Sequence, residues 1–343
     1  VLLPDGTPGR DLRAVAPAEV PFALNYFTGS KDHNVALRQR ALEHDWSLNE
    51  YGLKAVEGKK AKAIPEIEDE TGLYRALGLD YIEPALRENN GELEAAAAGS
   101  LPNLVQLENL RGVFHNHTTA SDGRASLREM AEAAIDLGFQ YLGIADHSKS
   151  SFQANGLDAR RLLAQVEEIR ELNAEFADEG IPFKIFSGCE VDILKDCVLD
   201  FEDEILAQLD YVVASVHSVF NLPEEEMTTR ILRAIANPHV TMLGHVSGRL
   251  LAQRPAYAVN IPAIIDAAAA DGTIIELNAS PWRLDMDWRW WKLASEKGVL
   301  TSINPDAHST EGLKDVVFGV KTARKGWLER KHILNCLPLA QVA

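Results

Sequence analysis

The chain holds few cysteines. Three in 343 residues, Cys189, Cys197 and Cys336, fall at irregular spacing and form no Cys-x-x-Cys pair. That excludes a disulfide framework and a thiolate metal site, and points to free thiols in a reducing compartment. No apolar run approaches the ~20 residues of a membrane span, and no basic-then-apolar leader opens the chain, so no membrane partner and a cytoplasmic location are expected. Positive charge is also short. Lys plus Arg number 34 against 51 Asp plus Glu, a formal charge of −17, which argues against a continuous basic face for nucleic acid phosphates. There is no Walker loop, Gly-x-Gly-x-x-Gly or Ser-His-Asp order, so nucleotide-cofactor and acyl-transfer chemistry have no support. What is there, 46% apolar and 25% charged residues, describes a globular protein of two or three domains. It begins with Val1 in strand-like sequence, and the N-terminal part of a longer protein is expected to be missing.

Charge and composition divide the chain. From Thr28 to Lys62 seven basic residues (Lys31, Arg38, Arg40, Lys54, Lys59, Lys60, Lys62) face five acidic ones, net +2, whereas Ala63 to Ser100 holds two basic and nine acidic, net −7. The stretch GELEAAAAGSLP from Gly91 reads as a helix end running into a linker, so a boundary is expected near residue 100. Beyond it, seven short apolar runs alternate with helical patterns: Gly112–His115, Tyr141–Ala145, Phe183–Ser187, Tyr211–Val216, Val240–Gly244, Thr273–Leu277 and Val299–Ile303. Ser126 and Glu129 form a capping box for a helix closing at Gly138, and Leu162, Val166, Ile169, Leu172 and Phe176 share one face of another between Asp158 and Gly180. Seven βα units in ~240 residues fit an α/β barrel of TIM-like kind better than an open sheet.

Six of the ten histidines follow these strand runs directly: His115 and His117, His147, His217, His245 and His308. Strand C-termini of a parallel barrel converge on one rim, where Asp146, Glu190, Asn278 and Asp306 also fall. A single His at a strand end is ordinarily a hydrogen-bonded rim residue. Six together would be depressed in pKa and left with unpaired nitrogens, whereas divalent metals satisfy them and need carboxylates for charge balance. At four to six ligands per ion, the set suggests two or three ions of the Zn, Mn or Fe type. Such a cluster suits hydrolysis of phosphate esters, because the metals lower the pKa of a water to about 7 and take up charge on the phosphoryl oxygens.

At these residues the chain resembles the PHP (polymerase and histidinol phosphatase) superfamily. The motifs are HNHTTASDG at 115–123, ADHS at 145–148, GCEVDIL at 188–194, ASVHS at 214–218, GHVSGR at 244–249 and NPDAH at 304–308. The resemblance implies a distorted seven-stranded (βα)7 barrel and a trinuclear site with His115, His117, His147, Glu190, His217, His245, Asp306 and His308 as ligands. Asp122 and Asp146 are further candidates for direct or supporting roles, with Asp122 favoured as an orienter or turn former. Where the family has an acidic residue two before the first His, this chain has Val113, so a carboxylate that would orient an imidazole is expected to be absent. Lys149, Arg249 and Arg283 are rim cations expected to meet phosphate.

The segment YFTGSKDHNVALRQRALEHDWSLNEYGL from Tyr26 resembles the thumb of family X DNA polymerases, and DYIEPALRENNGE from Asp80 the end of that module. The resemblance implies a small α+β unit, with residues 1–22 the end of the polymerase palm, 23–95 the thumb, 96–110 a linker and 111–343 the barrel. It places Tyr26, Phe27 and Gly29 at the sugar of an incoming dNTP, Asn34 at a base edge, Arg38 on the template, and Asp11 as one carboxylate of a polymerase site using Mg or Mn. The expected function is a nucleoid-associated DNA repair enzyme of base excision repair. It would fill gaps in its full-length form and carry a Mn-preferring 3′–5′ exonuclease or 3′ phosphoesterase in the barrel. The alternatives are a small-molecule phosphatase resembling histidinol phosphatase, and a non-catalytic barrel that docks DNA. Read by segment, −17 is compatible with DNA bound locally, weakly and with strong salt dependence.

Overall fold

The computed structural model describes residues 13–60 and 63–342. They fall into two compact units, Val1–Pro102 and Asn103–Ala343.

In the first unit, α1 (Val20–Thr28) and α2 (Lys31–Leu42) meet at Gly29-Ser30. Ser30 takes extended backbone and its Oγ accepts from the His33 N–H at 3.1 Å, satisfying one of the unpaired donors at the start of α2. A Cβ on Gly29 would lie 2.9 Å from His33 Cδ2 and 3.3 Å from the Asn25 carbonyl, so the turn admits no side chain. The antiparallel hairpin β1 (Trp46–Asn49) and β2 (Gly52–Ala55) follows, then α3 (Glu70–Ala76) and α4 (Glu92–Ala97). Within the apolar core of this unit, around Leu37, Leu73, Leu77 and Ile82, lies a paired polar network. Buried His33 meets Glu92 Oε1 at 2.7 Å through Nδ1 and the Tyr74 hydroxyl at 3.1 Å through Nε2. Tyr74 donates in turn to Asn25 at 2.7 Å, and buried Arg87 donates to the Ile82 carbonyl, Thr28 and Glu70 while stacking over Tyr74 and Tyr81.

The second unit is one sheet of seven parallel strands in sequential order: β3 (Gly112–Asn116), β4 (Tyr141–Ile144), β5 (Lys184–Asp192), β6 (Tyr211–Ser215), β7 (Met242–Leu243), β8 (Ile274–Asn278) and β9 (Thr301–Asn304). The His117 N–H donates to the Ala307 carbonyl at 2.9 Å and Asn116 bridges Ala307, which brings the two ends nearly to closure. Outside run α5 (Leu127–Asp136), α6 (Ala159–Asp178), α7 (Asp203–Leu206), α8 (Glu224–Ile235), α9 (Ile261–Asp271), α10 (Trp291–Glu296) and α11 (Val316–Lys325). The seven expected strand runs are the seven strands. Ser126 and Glu129 cap α5, and the five expected residues form the buried face of α6.

Lengths differ from expectation at two strands. β5 is nine residues long because its first half pairs with β4 and its second half with β6, whereas β7 shrinks to two. Within the stretch 96–110 expected as a linker, Leu104, Val105 and Leu110 are buried in the second unit, with the Val105 N–H donating to the Leu328 carbonyl.

Strand alternation splits the barrel interior into two storeys. Phe114, Tyr141, Phe186 and Tyr211 pack ring on ring at 5.0–5.8 Å and close the lower end with Met242 and Ile274. Gly143 and Gly188 make room for them, since added Cβ atoms would lie 2.4 Å from the Phe114 and Tyr211 rings. Above this floor the inward positions turn polar, beginning with Glu276 and Asn304 and ending at the histidine rim.

Candidate metal centre

Glu190, near the end of β5 and only 1% exposed, is the hub of the rim. Its Oε1 lies 2.8 Å from His245 Nε2, 3.1 Å from His217 Nε2 and 3.2 Å from His115 Nε2. Oε2 lies 2.9 Å from His147 Nδ1 and 3.8 Å from His117 Nε2. A second carboxylate, Asp306, stands 3.1 Å from His117 Nε2 and 3.8 Å from His115 Nε2. Four groups have ligand atoms close enough to share an ion: His117, Asp122, His147 and His308; His115, His117 and Asp306; His115, Glu190 and His245; His147, Glu190 and His217. All eight residues that the resemblance names as ligands are therefore gathered at one place. Asp122, expected to orient or turn, instead has its carboxylate among the nitrogens, 3.3 Å from His308 Nε2 and 3.7 Å from His147 Nε2.

The backbone is bent to achieve this. His115, His245 and Asp306 all have positive φ, at 57°, 23° and 52°, and the β3–β4 register shifts between Val113 and Asn116. Non-glycine residues seldom adopt this region, and such backbone clusters at functional sites.

Whether the residues fit metal ions can be tested on the nitrogens themselves. His115 Nε2, His117 Nδ1, His147 Nδ1 and His245 Nδ1 are buried without a hydrogen-bond partner. Two of them lie within 3.2 Å of Glu190 oxygens yet form no hydrogen bond to them. Close approach without hydrogen-bond geometry is what lone pairs directed at a shared third atom produce, and mixed imidazole and carboxylate donors suit borderline divalent cations. The residues fit.

Electrostatics agree. Burial pushes His117 down to about 4, with repulsion from His147 and His308 adding to the effect. For His217 burial is outweighed by Glu190 and Asp192, which hold it up at about 10; for His308 it is outweighed by Asp122 and Asp306, which hold it at about 9. Burial would raise Glu190 and Asp306, but the surrounding imidazoles keep both well below the ordinary carboxylate range. The rim is thus a set of anionic carboxylates with imidazoles of mixed protonation, which divalent ions would replace with uniform neutral ligands.

Supporting partners come from strands already named, and Glu276 among them was not singled out by sequence reasoning. Glu276, fully buried on β8, takes His115 Nδ1 at 2.5 Å, the His245 N–H at 2.8 Å and Asn304 Nδ2 at 3.0 Å. It supplies the orienting carboxylate expected to be absent because Val113 stands before the first His, while Val113 itself is buried in the apolar core between sheet and helices. Asp192 receives His217 Nδ1 at 2.8 Å, and Asn278 Nδ2 donates to Asp306 at 3.0 Å. The signal for Glu276 was a lone carboxylate in the apolar run Ile274-Ile275-Glu276-Leu277. Asp146 lies outside the four groups. It accepts from the Thr118 N–H and hydroxyl, from Ser121 and from Gln165 Nε2, which pins the loop that carries Asp122.

The expected phosphate cations divide. Arg283 lines a cleft of about 490 Å³ above the cluster, with Nε 3.4 Å from Asp306 Oδ2. Arg249 does not line it, because its guanidinium is turned to the Arg283 and Leu284 carbonyls and to Asp287. Lys149 does not either, since its ammonium sits 5.7 Å from the Phe201 ring centroid.

In the first unit Arg38 stacks over Tyr26 at 5.4 Å, and Phe27 is 54% exposed. Asn34 donates through Nδ2 to the Tyr26 and Gly29 carbonyls at 2.9 and 3.2 Å, so its amide hydrogens hold the turn. Asp11 lies outside the described residues.

The family model described as "PHP domain" matches residues 114–280. A Clostridium acetobutylicum protein whose name reads "probable phosphatase" is 30% identical over 211 residues, 57% of this chain and 78% of that protein. The chain belongs to the PHP family. A second model, described as "DNA polymerase beta thumb", matches residues 23–88, so that a family X polymerase thumb stands ahead of the PHP barrel. The Bacillus subtilis DNA polymerase/3′-5′ exonuclease PolX is 43% identical over 332 residues, 97% of this chain; the chain spans 57% of that relative's own length. Among solved structures, a histidinol phosphate phosphatase from Lactococcus lactis, complexed with zinc, L-histidinol and phosphate, covers 62% of this chain and 93% of its own at 19% identity and a TM-score of 0.45. No helix among the described residues is long and apolar enough to cross a membrane.

Proposed function

We propose that the PHP barrel of this chain hydrolyses phosphoester bonds at DNA 3′ ends through two or three divalent ions, with manganese the preferred metal. We further propose that the longer protein is a gap-filling family X polymerase using dNTPs and Mg or Mn. The observation that carries the hydrolytic reading is the continuity of Glu190, His147, His217, His308, Asp122 and Asp306 with the open cleft, so the candidate ligands also face the space a phosphate would enter. Divalent ions there would acidify water and neutralise charge on the phosphoryl oxygens.

The chain's own residues supply the rest. Glu276 and Asp192 fix the rings of His115 and His217 through Nδ1 and leave Nε2 for the cluster. Arg283 offers a guanidinium from the cleft wall, suited to bidentate contact with phosphate. Asp122 lies on the loop pinned by Asp146 and closes the cluster toward His308. For the polymerase half, support comes from the thumb match and the Bacillus relative.

Labelled single-stranded and gapped DNA incubated with Mn should shorten from the 3′ end, stop with chelator, and stay intact with the His115→Ala His117→Ala variant. DNA left intact at every Mn concentration while histidinol phosphate is cleaved would replace this reading with the small-molecule phosphatase, which the "probable phosphatase" relative of the barrel favours. Inertness toward both would leave a DNA-docking barrel.

A further inference from the structure

On one wall of the same cleft a phenylalanine faces solvent. Phe152 is 77% exposed and lines the cleft with His147, Glu190 and His217. The segment that carries it is tied down on both sides. Ser150 donates to Asp200 through its N–H at 2.6 Å and its hydroxyl at 2.5 Å, and the Ser151 hydroxyl donates to Asp192 Oδ2 at 2.7 Å. Asp192 uses its other oxygen on His217 Nδ1, so the position of this wall is set by the same carboxylate that orients a rim imidazole. Past the phenylalanine, Asn155 reaches back to the Ala120 and Ser121 carbonyls at 3.1 and 3.3 Å, and Gly156 packs so closely that a Cβ would lie 1.9 Å from the Ser148 carbonyl.

An exposed ring on a mobile loop would need no explanation. A ring carried on a segment that five side-chain hydrogen bonds fix in place, beside an anionic rim with Arg283 lining the same space, is positioned for a flat partner attached to a phosphate. We propose that Phe152 is the stacking platform for the nucleobase next to the scissile phosphate, so that it sets preference for a base-bearing 3′ end. This rests on the reading of the barrel as a 3′-end phosphoesterase. Stacking of a base on an aromatic side chain is sequence-tolerant, because every base offers a π face.

The test compares two oligonucleotides, one with an ordinary 3′-terminal nucleotide and one ending in an abasic residue, cleaved by the wild-type protein, Phe152→Ala and Phe152→Trp. Phe152→Ala is expected to raise KM for the ordinary end by roughly 5- to 100-fold, with kcat changed far less, to leave the abasic end unaffected, and to be rescued by Phe152→Trp. Equal losses on both ends, or no loss on the ordinary end, would overturn the proposal. Should the wild-type protein cleave neither oligonucleotide, the phosphoesterase reading fails on its own. The stacking claim is then decided by an oligonucleotide with 3′-terminal 2-aminopurine, whose fluorescence should be quenched on binding to the wild-type protein and not to Phe152→Ala. Equal quenching by both would sink it.

Discussion

Two buried histidines, one in each unit, are nearly alike by sequence-local criteria and opposite in meaning. His33 in the thumb and His115 in the barrel are both 0% exposed, and each has a carboxylate on Nδ1, at 2.7 Å from Glu92 and 2.5 Å from Glu276. The difference lies on the other nitrogen. His33 Nε2 meets the Tyr74 hydroxyl, whereas His115 Nε2 has no hydrogen-bond partner, although Glu190 is only 3.2 Å away. A buried imidazole with both nitrogens paired needs no further partner; one with an orphan nitrogen beside a carboxylate offers the donors that a divalent ion would use.

The comparison is broken hardest at the hub. Glu190→Gln should lower activity on the order of 10³-fold or more, as losses of central catalytic groups do, and metal content should fall by at least one ion per chain; elemental analysis beside the cleavage assay checks both. In the thumb the corresponding change has the reverse profile. His33→Ala leaves the buried Glu92 carboxylate without its imidazole hydrogen-bond partner, at a cost of about 1–3 kcal/mol, read as earlier denaturant unfolding of the first unit with barrel metal content unchanged. A loss of metal from His33→Ala would erase the distinction between the two histidines.

Glu276→Gln sharpens it more finely. Supporting partners of metal-bound histidines are typically worth 10- to 100-fold in affinity, so competition with a calibrated chelator should show a loss of that size while the fold persists. The smallest effect is on pH. In metal-free protein His217 and His308 titrate near 10 and 9, above their unfolded value near 6.5. Their contribution to stability is therefore complete below about pH 6.5 and lost as pH rises through 9 to 10. Added metal must displace those protons, so the melting-temperature gain from Mn should grow over that same window. A gain independent of pH would mean that neither ring is a ligand.

Much of the barrel was legible because its signals are local. Apolar β-branched runs, the Ser126 and Glu129 box and the five-residue face of α6 each sit within a few turns of chain, and six histidines mark strand ends by position alone. Glu276 was not legible, since its partner His115 lies 161 residues away and only the closing of the sheet brings them together. Val113 misled for the same reason: a carboxylate missing from β3 is replaced from β8, far away in sequence but only two strands away once the sheet closes through β9. Asn34 and Arg249 stand out in sequence as polar groups, and their intramolecular partners, backbone carbonyls for Asn34 and carbonyls plus Asp287 for Arg249, come into view only in the fold. The thumb is less readable, because the network around His33, Tyr74 and Arg87 that sits within its apolar core joins residues far apart in sequence.

The most direct measurement is elemental analysis of the purified chain after equilibration with Mn and removal of free ions, run on the wild-type protein and His115→Ala His117→Ala in parallel. Two to three ions per wild-type chain, with at least one lost in the variant, is the predicted result. Fewer than one ion per wild-type chain, or equal loading of both proteins, would contradict the assignment of the orphan imidazoles as metal ligands.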